Sequence, residues 1–465
     1  MSRRKLTFAV TFLLVSAALL GLAASAQAGT VLRGTDQLAL GHKGTTDTTA
    51  KVDFLATRLH AQLLRVDLRW NRLEPQRGKY DQTYLEQLAR TIHSAAGDGL
   101  KVIVTLYGTP SWATDRTLWR YVPPGYKAGV SHSFYPPAAD RLIDFQAFAT
   151  KLASTFGSDV LGYECRNEPN LGGSLYPQRT PSDPELAVRR YAEMLTAFSR
   201  GIRAGDPQAL VIAGATAPTG SNNNIGTSPQ RFARELKTMV KLSVFDAYSH
   251  HPYTVGGTSN IAPEAIPHYP NLTVSLGNIS TLLKIFPSKP FYLSEYGYYT
   301  RYQTAFGVYV NQVTQALYLP RAYRFVARYP QIKALVWYPY RDSGRADPSS
   351  DNGGCYSGLV STTGAFKLSW YAFSGGNKLT LKATRLNRTS RRLAGVLSSA
   401  ALGGLSGKTL VLYRKTAGHP WRVVRSLTST TKGSWHATVK LTTSTTWFKV
   451  AWLGVTRSAI LTVKR

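Results

Sequence analysis

The sequence predicts a (β/α)₈ TIM barrel followed by a small all-β sandwich. Three observations predict it. Eight short apolar runs alternate with segments of helical period up to Phe373. Two of those runs stop abruptly at a glutamate and a turn residue. After Phe373 the pattern changes to short alternating strands that contain no acidic residue.

Taken in chain order, the first segment lies outside the fold. Arg3, Arg4 and Lys5 precede an apolar stretch from Leu6 to Ala24, and Ala26-Gln27-Ala28 has the small residues of a cleavage site. Residues 1–28 read as a secretory signal peptide, which places the mature protein outside the cell; an uncleaved anchor is the competing reading. No later run reaches the ~18 apolar residues a membrane helix needs, so no membrane span is expected in the mature protein. Residues 29–373 are the expected barrel. Its strands are read at 37–40, 63–68, 101–106, 160–165, 210–214, 245–249, 291–294 and 334–337. Val-Ile-Val, Leu-Val-Ile-Ala and Ala-Leu-Val-Trp are unbroken apolar runs, as parallel strands covered on both faces require. Between them, 84–96, 142–156 and 186–202 carry 3.6-residue periodicity, the last opened by Asp183-Pro184-Glu185. An open doubly wound sheet competes with the barrel, but no glycine-rich phosphate fingerprint follows an early strand. Ser374-Gly375-Gly376-Asn377 reads as a linker. Residues 379–465 read as an Ig-like accessory sandwich, with strands at 379–382, 409–413, 421–424, 436–441, 446–452 and 460–463.

The chemistry is carried by two strings, Tyr163-Glu164-Cys165-Arg166-Asn167-Glu168-Pro169-Asn170 and Phe291-Tyr292-Leu293-Ser294-Glu295-Tyr296-Gly297. A carboxylate at the exit of a buried strand is costly without partners or a task. Two of them on separate strands can face each other across a cleft. That is the pair a retaining glycosidase needs, one acid/base and one nucleophile about 5 Å apart. Other acidic residues read as structural. Glu164 alternates with the strand's active face, and Glu74 lies in a loop. Asp67 and Asp342 fit a salt bridge or a substrate contact equally well.

Composition excludes other chemistries. Two cysteines cannot build a zinc site, no His-Glu-x-x-His pattern occurs, and no metal or organic cofactor is implied. Cys165 and Cys355 could form a disulfide in a secreted chain, or remain two thiols. The formal net charge is +31. The last acidic residue is Asp351, and 18 Lys and Arg follow it. This asymmetry fits either a general adaptation or a module that binds anionic cell-wall polymers or acidic polysaccharide. The barrel half lacks the basic-aromatic motifs of nucleic-acid modules, so no nucleic acid is expected as a partner.

These residues resemble the clan A (β/α)₈ glycoside hydrolases, similar to families 39 and 5, over residues 37–373. Asn167-Glu168-Pro169 matches the fourth-strand motif and Ser294-Glu295-Tyr296-Gly297 the seventh-strand nucleophile motif. Arg65 matches the second-strand arginine, His251-Pro252-Tyr253 the sixth-strand His-x-Tyr, and Trp337 the aromatic after strand eight. The residue before Asn167, often Trp in such families, is Arg166 here. The resemblance implies Glu168 as acid/base and Glu295 as nucleophile. Arg65, Asn167, His251, Tyr253 and Trp337 are then the substrate-binding residues, with Trp337 as an apolar floor. Arg65 and Tyr253 are expected to hold the pKa of Glu295 down. The function implied is a secreted retaining O-glycosidase acting on a poly- or oligosaccharide. The alternative is a non-catalytic carbohydrate- or polyanion-binding barrel.

Overall fold

A computed structural model describes residues 31–37, 48–122, 132–255, 261–301, 309–343 and 355–465. The signal-peptide reading lies outside them. Eight parallel strands close into a barrel: β1 (Leu32–Gln37), β2 (Leu63–Arg69), β3 (Lys101–Tyr107), β4 (Gly162–Glu164), β5 (Leu210–Thr216), β6 (Ala247–His250), β7 (Phe291–Tyr296) and β8 (Ile332–Trp337). Closure is the pairing of β1 with β8. The described part of the first strand is β1, whose Leu32-Arg33-Gly34-Thr35 half pairs with β8; the run expected at 37–40 lies, apart from Gln37, outside the described residues.

Along each strand, alternate residues enter the barrel. Leu63, Ile103, Ile212, Ala247, Tyr292, Ala334 and Val336 form a separate apolar plug at its base. The next inward residues toward the C-terminal mouth are polar, beginning with Asp36, Arg65, Thr105 and Glu164. The remaining strand residues face out against the helices.

The helices are α1 (Thr48–Thr57), α2 (Trp70–Leu73), α3 (Gln82–Gly97), α4 (Leu142–Phe156), α5 (Leu186–Gly205), α6 (Pro229–Met239), α7 (Ser280–Leu283), α8 (Gln312–Val326) and α9 (Leu368–Ser374). The Asp81 side chain accepts a hydrogen bond from Tyr84 N and starts α3, which buries Leu85, Leu88 and Ile92. Helices α4 and α5 approach so closely that a Cβ at Gly201 would lie 2.4 Å from the Gln146 carbonyl oxygen. No helix among the described residues is long and apolar enough to cross a membrane.

The C-terminal region is two antiparallel sheets. One holds β9 (Lys378–Leu379), β10 (Lys382–Arg385), β11 (Ser390–Ser399), β12 (Gly403–Gly404) and β15 (Ser434–Lys440). The other holds β13 (Thr409–Thr416), β14 (Arg422–Thr428), β16 (Thr445–Trp452), β17 (Thr456–Arg457) and β18 (Leu461–Lys464). Strand β11, central to its sheet, is absent from the sequence reading. Paired arginines and Gly395 break its apolar alternation. Gly395 is there because a Cβ would meet the Thr380 carbonyl oxygen at 1.9 Å.

The expected linker is not a free tether. Asn377 Nδ2 donates to Tyr371 O at 2.6 Å and Thr456 Oγ1 to Asn377 O at 3.2 Å. Trp452 packs edge-on against Tyr371, with ring centroids 4.7 Å apart, and the Lys408 ammonium lies over both rings. Arg58 donates to Ala401 O at 2.7 Å. Barrel and module share one buried apolar cluster, running from Val31 to Val463. The sandwich is therefore docked on the flank made by α8, α9 and the loop after α1.

Candidate active site

Arg65 organises the layer above the apolar plug. It is fully buried, and burial alone would lower its pKa, but the surrounding carboxylates outweigh this and raise it well above the usual value. Its Nη1 lies 2.9 Å from Asp36, 3.2 Å from Asp67 and 2.8 Å from Glu295, and its Nε 3.0 Å from Glu164. Nη2 donates to Asn167 Oδ1 at 2.7 Å, leaving the Asn167 amide nitrogen for another partner. Arg65 thus touches the strings on β4 and β7 at once. It has no exposed surface, and it holds the residues around it.

Glu295 reaches this layer through an irregularity in β7. Between Leu293 and Tyr296 the register against β8 shifts, as a bulge does, so adjacent residues Ser294 and Glu295 both find partners inside the barrel. Tyr253 Oη donates to Glu295 Oε2 at 3.1 Å. Burial raises the Glu295 pKa and outweighs the opposing pull of His251 and Arg65. The expectation that Arg65 and Tyr253 hold it down is corrected: one cation shared among four carboxylates does not offset loss of water.

Glu168 stands just beyond β4, where the chain makes two left-handed turns, at Arg166 (φ 78°) and Glu168 (φ 44°). Both are held from outside. The Arg166 guanidinium donates to Thr109 Oγ1 at 3.1 Å, Ser133 O at 3.1 Å and Ser174 O at 2.9 Å. Glu168 N donates to Ala215 O at 2.9 Å. Arg166, at the family's usual tryptophan position, therefore stitches the loop that carries Asn167 and Glu168.

His251 lies between the two glutamates. Its Nδ1 is 3.0 Å from Glu168 Oε1 and 3.6 Å from Glu295 Oε2, and its Nε2 is 3.1 Å from Ser294 Oγ. The ring is wholly buried. Burial lowers its pKa, but Glu295 and Glu168 more than reverse that and raise it. His251, expected at the substrate, links the two carboxylates and presents no exposed surface. Ligand atoms of Glu168, His251 and Glu295 lie within 4.8 Å of one another, the one such group among the described residues close enough to chelate a metal. His250 behaves differently. Bonded to Thr216 and Val274, it is pushed down to about 3 by burial and stays neutral.

Trp337, expected as an apolar floor, presents no exposed surface. On β8 the inward positions are Ala334 and Val336, so parity turns Trp337 outward. It is fully buried, edge-on to Tyr296, with Nε1 donating to Ser357 O at 2.8 Å. The inward aromatic is Tyr338, partly exposed, whose hydroxyl pKa is raised well above 10.0 by burial and then by Glu295, Cys355, Asp36 and Asp67. Period-two counting from Val336 finds Tyr338 in the sequence. The cysteines are free thiols, Cys165 buried behind β4 and Cys355 bonded to Ser357 Oγ at 3.1 Å.

The structural acids are well defined. Glu164 is fully buried and accepts from Arg65 and from Thr105 Oγ1 at 2.6 Å. Burial pushes its pKa up, but Arg65, His251 and these hydrogen bonds bring it below the usual value. Glu74 ties its loop by accepting from Trp70 Nε1 and Gly78 N, both at 2.7 Å. Asp342 pairs with Lys367 at 3.2 Å.

Asp36 is the odd member of the cluster. Burial first, then Asp67, raise its pKa well above 3.8, against the pull of Arg65. Its contribution to stability is full below the unfolded pKa and is lost as pH rises through the folded one. Asp36→Asn mimics the neutral acid and still accepts from Arg65. Urea unfolding at about pH 4 and about pH 7 should show the variant gaining on the wild type at the higher pH. A pH-independent difference would reject this.

The family model described as Cellulase (glycosyl hydrolase family 5) matches residues 25–337. The chain belongs to glycosyl hydrolase family 5. No curated protein matches it. Among solved structures, it is similar to a family 39 glycoside hydrolase from the gut symbiont Bacteroides cellulosilyticus WH2. Identity is 16% over 89% of this chain and 79% of that one, with a TM-score of 0.50. It is also similar to a family 5, subfamily 18 protein from Streptomyces cattleya in complex with GlcNAc. There identity is 17% over 74% of this chain and 79% of that one, with a TM-score of 0.53. At such identities the structures speak for the fold, while the family match makes this chain a glycoside hydrolase of clan A.

Proposed function

We propose that this family 5 chain is a secreted retaining O-glycosidase of poly- or oligosaccharides, with Glu168 as acid/base and Glu295 as nucleophile. The observation that carries the reading is the approach of the two carboxylates, each offering an oxygen within 4.8 Å of the other, near the ~5 Å of double displacement and short of the ~6.5–9.5 Å of an inverting pair. Glu295 attacks the anomeric carbon while the Glu168 proton passes to the leaving oxygen. The aglycone departs and a glycosyl ester remains on Glu295. Esterification removes the Glu295 charge, and Glu168 then takes a proton from the attacking water. The Asn167 amide nitrogen is available to a hydroxyl beside the reacting carbon. Tyr338 offers the apolar face first assigned to Trp337.

NMR of the first-formed product should show the substrate's own anomer. An inverted first product would overturn the mechanism. We assign the leader at 1–28 to secretion, and the basic module to attachment on anionic wall polymers or acidic polysaccharide.

A further inference from the structure

Strands β11 and β16 run the length of the module in the same sense. Each starts at the far end and finishes at the barrel, where Ala401 accepts from Arg58 and Trp452 meets Tyr371. The eight residues of β16 span about 26 Å at 3.3 Å each. At the distal end the β10–β11 hairpin, the β15–β16 loop and the last residue surround a cavity of about 430 Å³, lined by Arg385, Arg388, Ser444 and Arg465.

The three arginines there are not spent on the fold. Arg391, their neighbour, donates its side chain to Asn387 O, Ser390 O and Lys464 O and is buried. Among the described residues the side chains of Arg385, Arg388 and Arg465 make no such hydrogen bond or ion pair, and all three are exposed. No Asp or Glu side chain follows Asp351, and the single α-carboxylate at Arg465 leaves the three guanidinium charges in excess. Guanidinium groups converging on a cavity fit planar oxyanions, which they grip two bonds at a time. The volume admits a whole sugar ring together with its carboxylate, and Ser444 adds a neutral hydroxyl for the ring beside the guanidinium groups.

Building on the attachment reading above, we infer that this distal cavity is the binding site for a uronate unit of an acidic polysaccharide. The test uses the full chain and measures retention on immobilised polygalacturonate against a neutral polysaccharide, with aryl-glycoside turnover and melting temperature in parallel. Arg385→Ser/Arg388→Ser should weaken retention about tenfold or more, with turnover and melting unchanged. Lys415→Ser/Arg422→Ser removes the same charge from the other sheet and should cost much less. Equal losses in both double variants would show a diffuse charge effect and overturn the site. Retention on polyphosphate or single-stranded DNA but not polygalacturonate would overturn the ligand. If the wild type binds no polyanion, the attachment reading itself fails. None of these outcomes alters the assignment of Glu168 and Glu295, which the turnover measurement follows separately.

Discussion

Glu295→Ala is expected to lose turnover by ~10⁴-fold or more while folding is retained, because the substitution removes the proposed nucleophile on which the glycosyl ester would form. Azide should restore part of the rate and give the inverted glycosyl azide, since a small anion can enter the space left by the carboxylate. The substitution also removes one of four carboxylates competing for Arg65, and burial already raises the pKa of that carboxyl. The melting temperature should therefore hold or rise, the sign of a site that trades stability for activity. Activity near the wild-type level would sink the nucleophile assignment. A collapse of the melting temperature would show instead that Glu295 is needed for the fold.

The largest loss of stability should come from Arg65→Ala. The change leaves Asp36, Asp67, Glu164 and Glu295 around a cavity with no cation, three of them under a tenth exposed. Removing one partner of a buried ionic cluster costs about 3–5 kcal/mol. Part of this should return in acid, where the carboxylates take up protons. Arg65→Lys keeps the charge but cannot reach Glu164, Asn167 and Glu295 together, so it should recover part of the stability and little of the activity. Urea unfolding of the three proteins checks this. A loss below about 1 kcal/mol in Arg65→Ala would mean that the carboxylates are held by something other than the guanidinium.

Much of the barrel was legible because parallel strands are covered on both faces, so unbroken apolar runs mark them even without periodicity. Seven of the eight runs coincide closely with strands; the first lies almost wholly outside the described residues, and Arg33, Gly34 and Thr35 give β1 itself too little apolar character to be read. The two glutamates were legible because a charge after such a run has few reasons to be there. What their neighbours do was less so. Motif position put Trp337 in the cleft, whereas strand parity turns it out and turns Tyr338 in. Motif position also made His251 a substrate contact, although three polar groups enclose it. The balance of burial against ion pairing at Glu295 depends on how many carboxylates share Arg65; Asp67 was read as a salt bridge or a substrate contact, and Asp36 was not marked at all. In the module, β11 was hidden by its arginines, and the docking of Trp452 on Tyr371 has no local signature at all.

That docking has a consequence for reach. A catalytic barrel joined to its anchor by a loose chain would sweep a volume around the attachment point, and its effective concentration there would fall with linker length. With the module as the anchor proposed above, the common core would make anchor and barrel one stiff body, and the mouth would trace a shell at fixed radius from wherever the tip is held. Glycan strands lying within that shell would be cut repeatedly. Those against the support, or farther out, would be spared unless they moved.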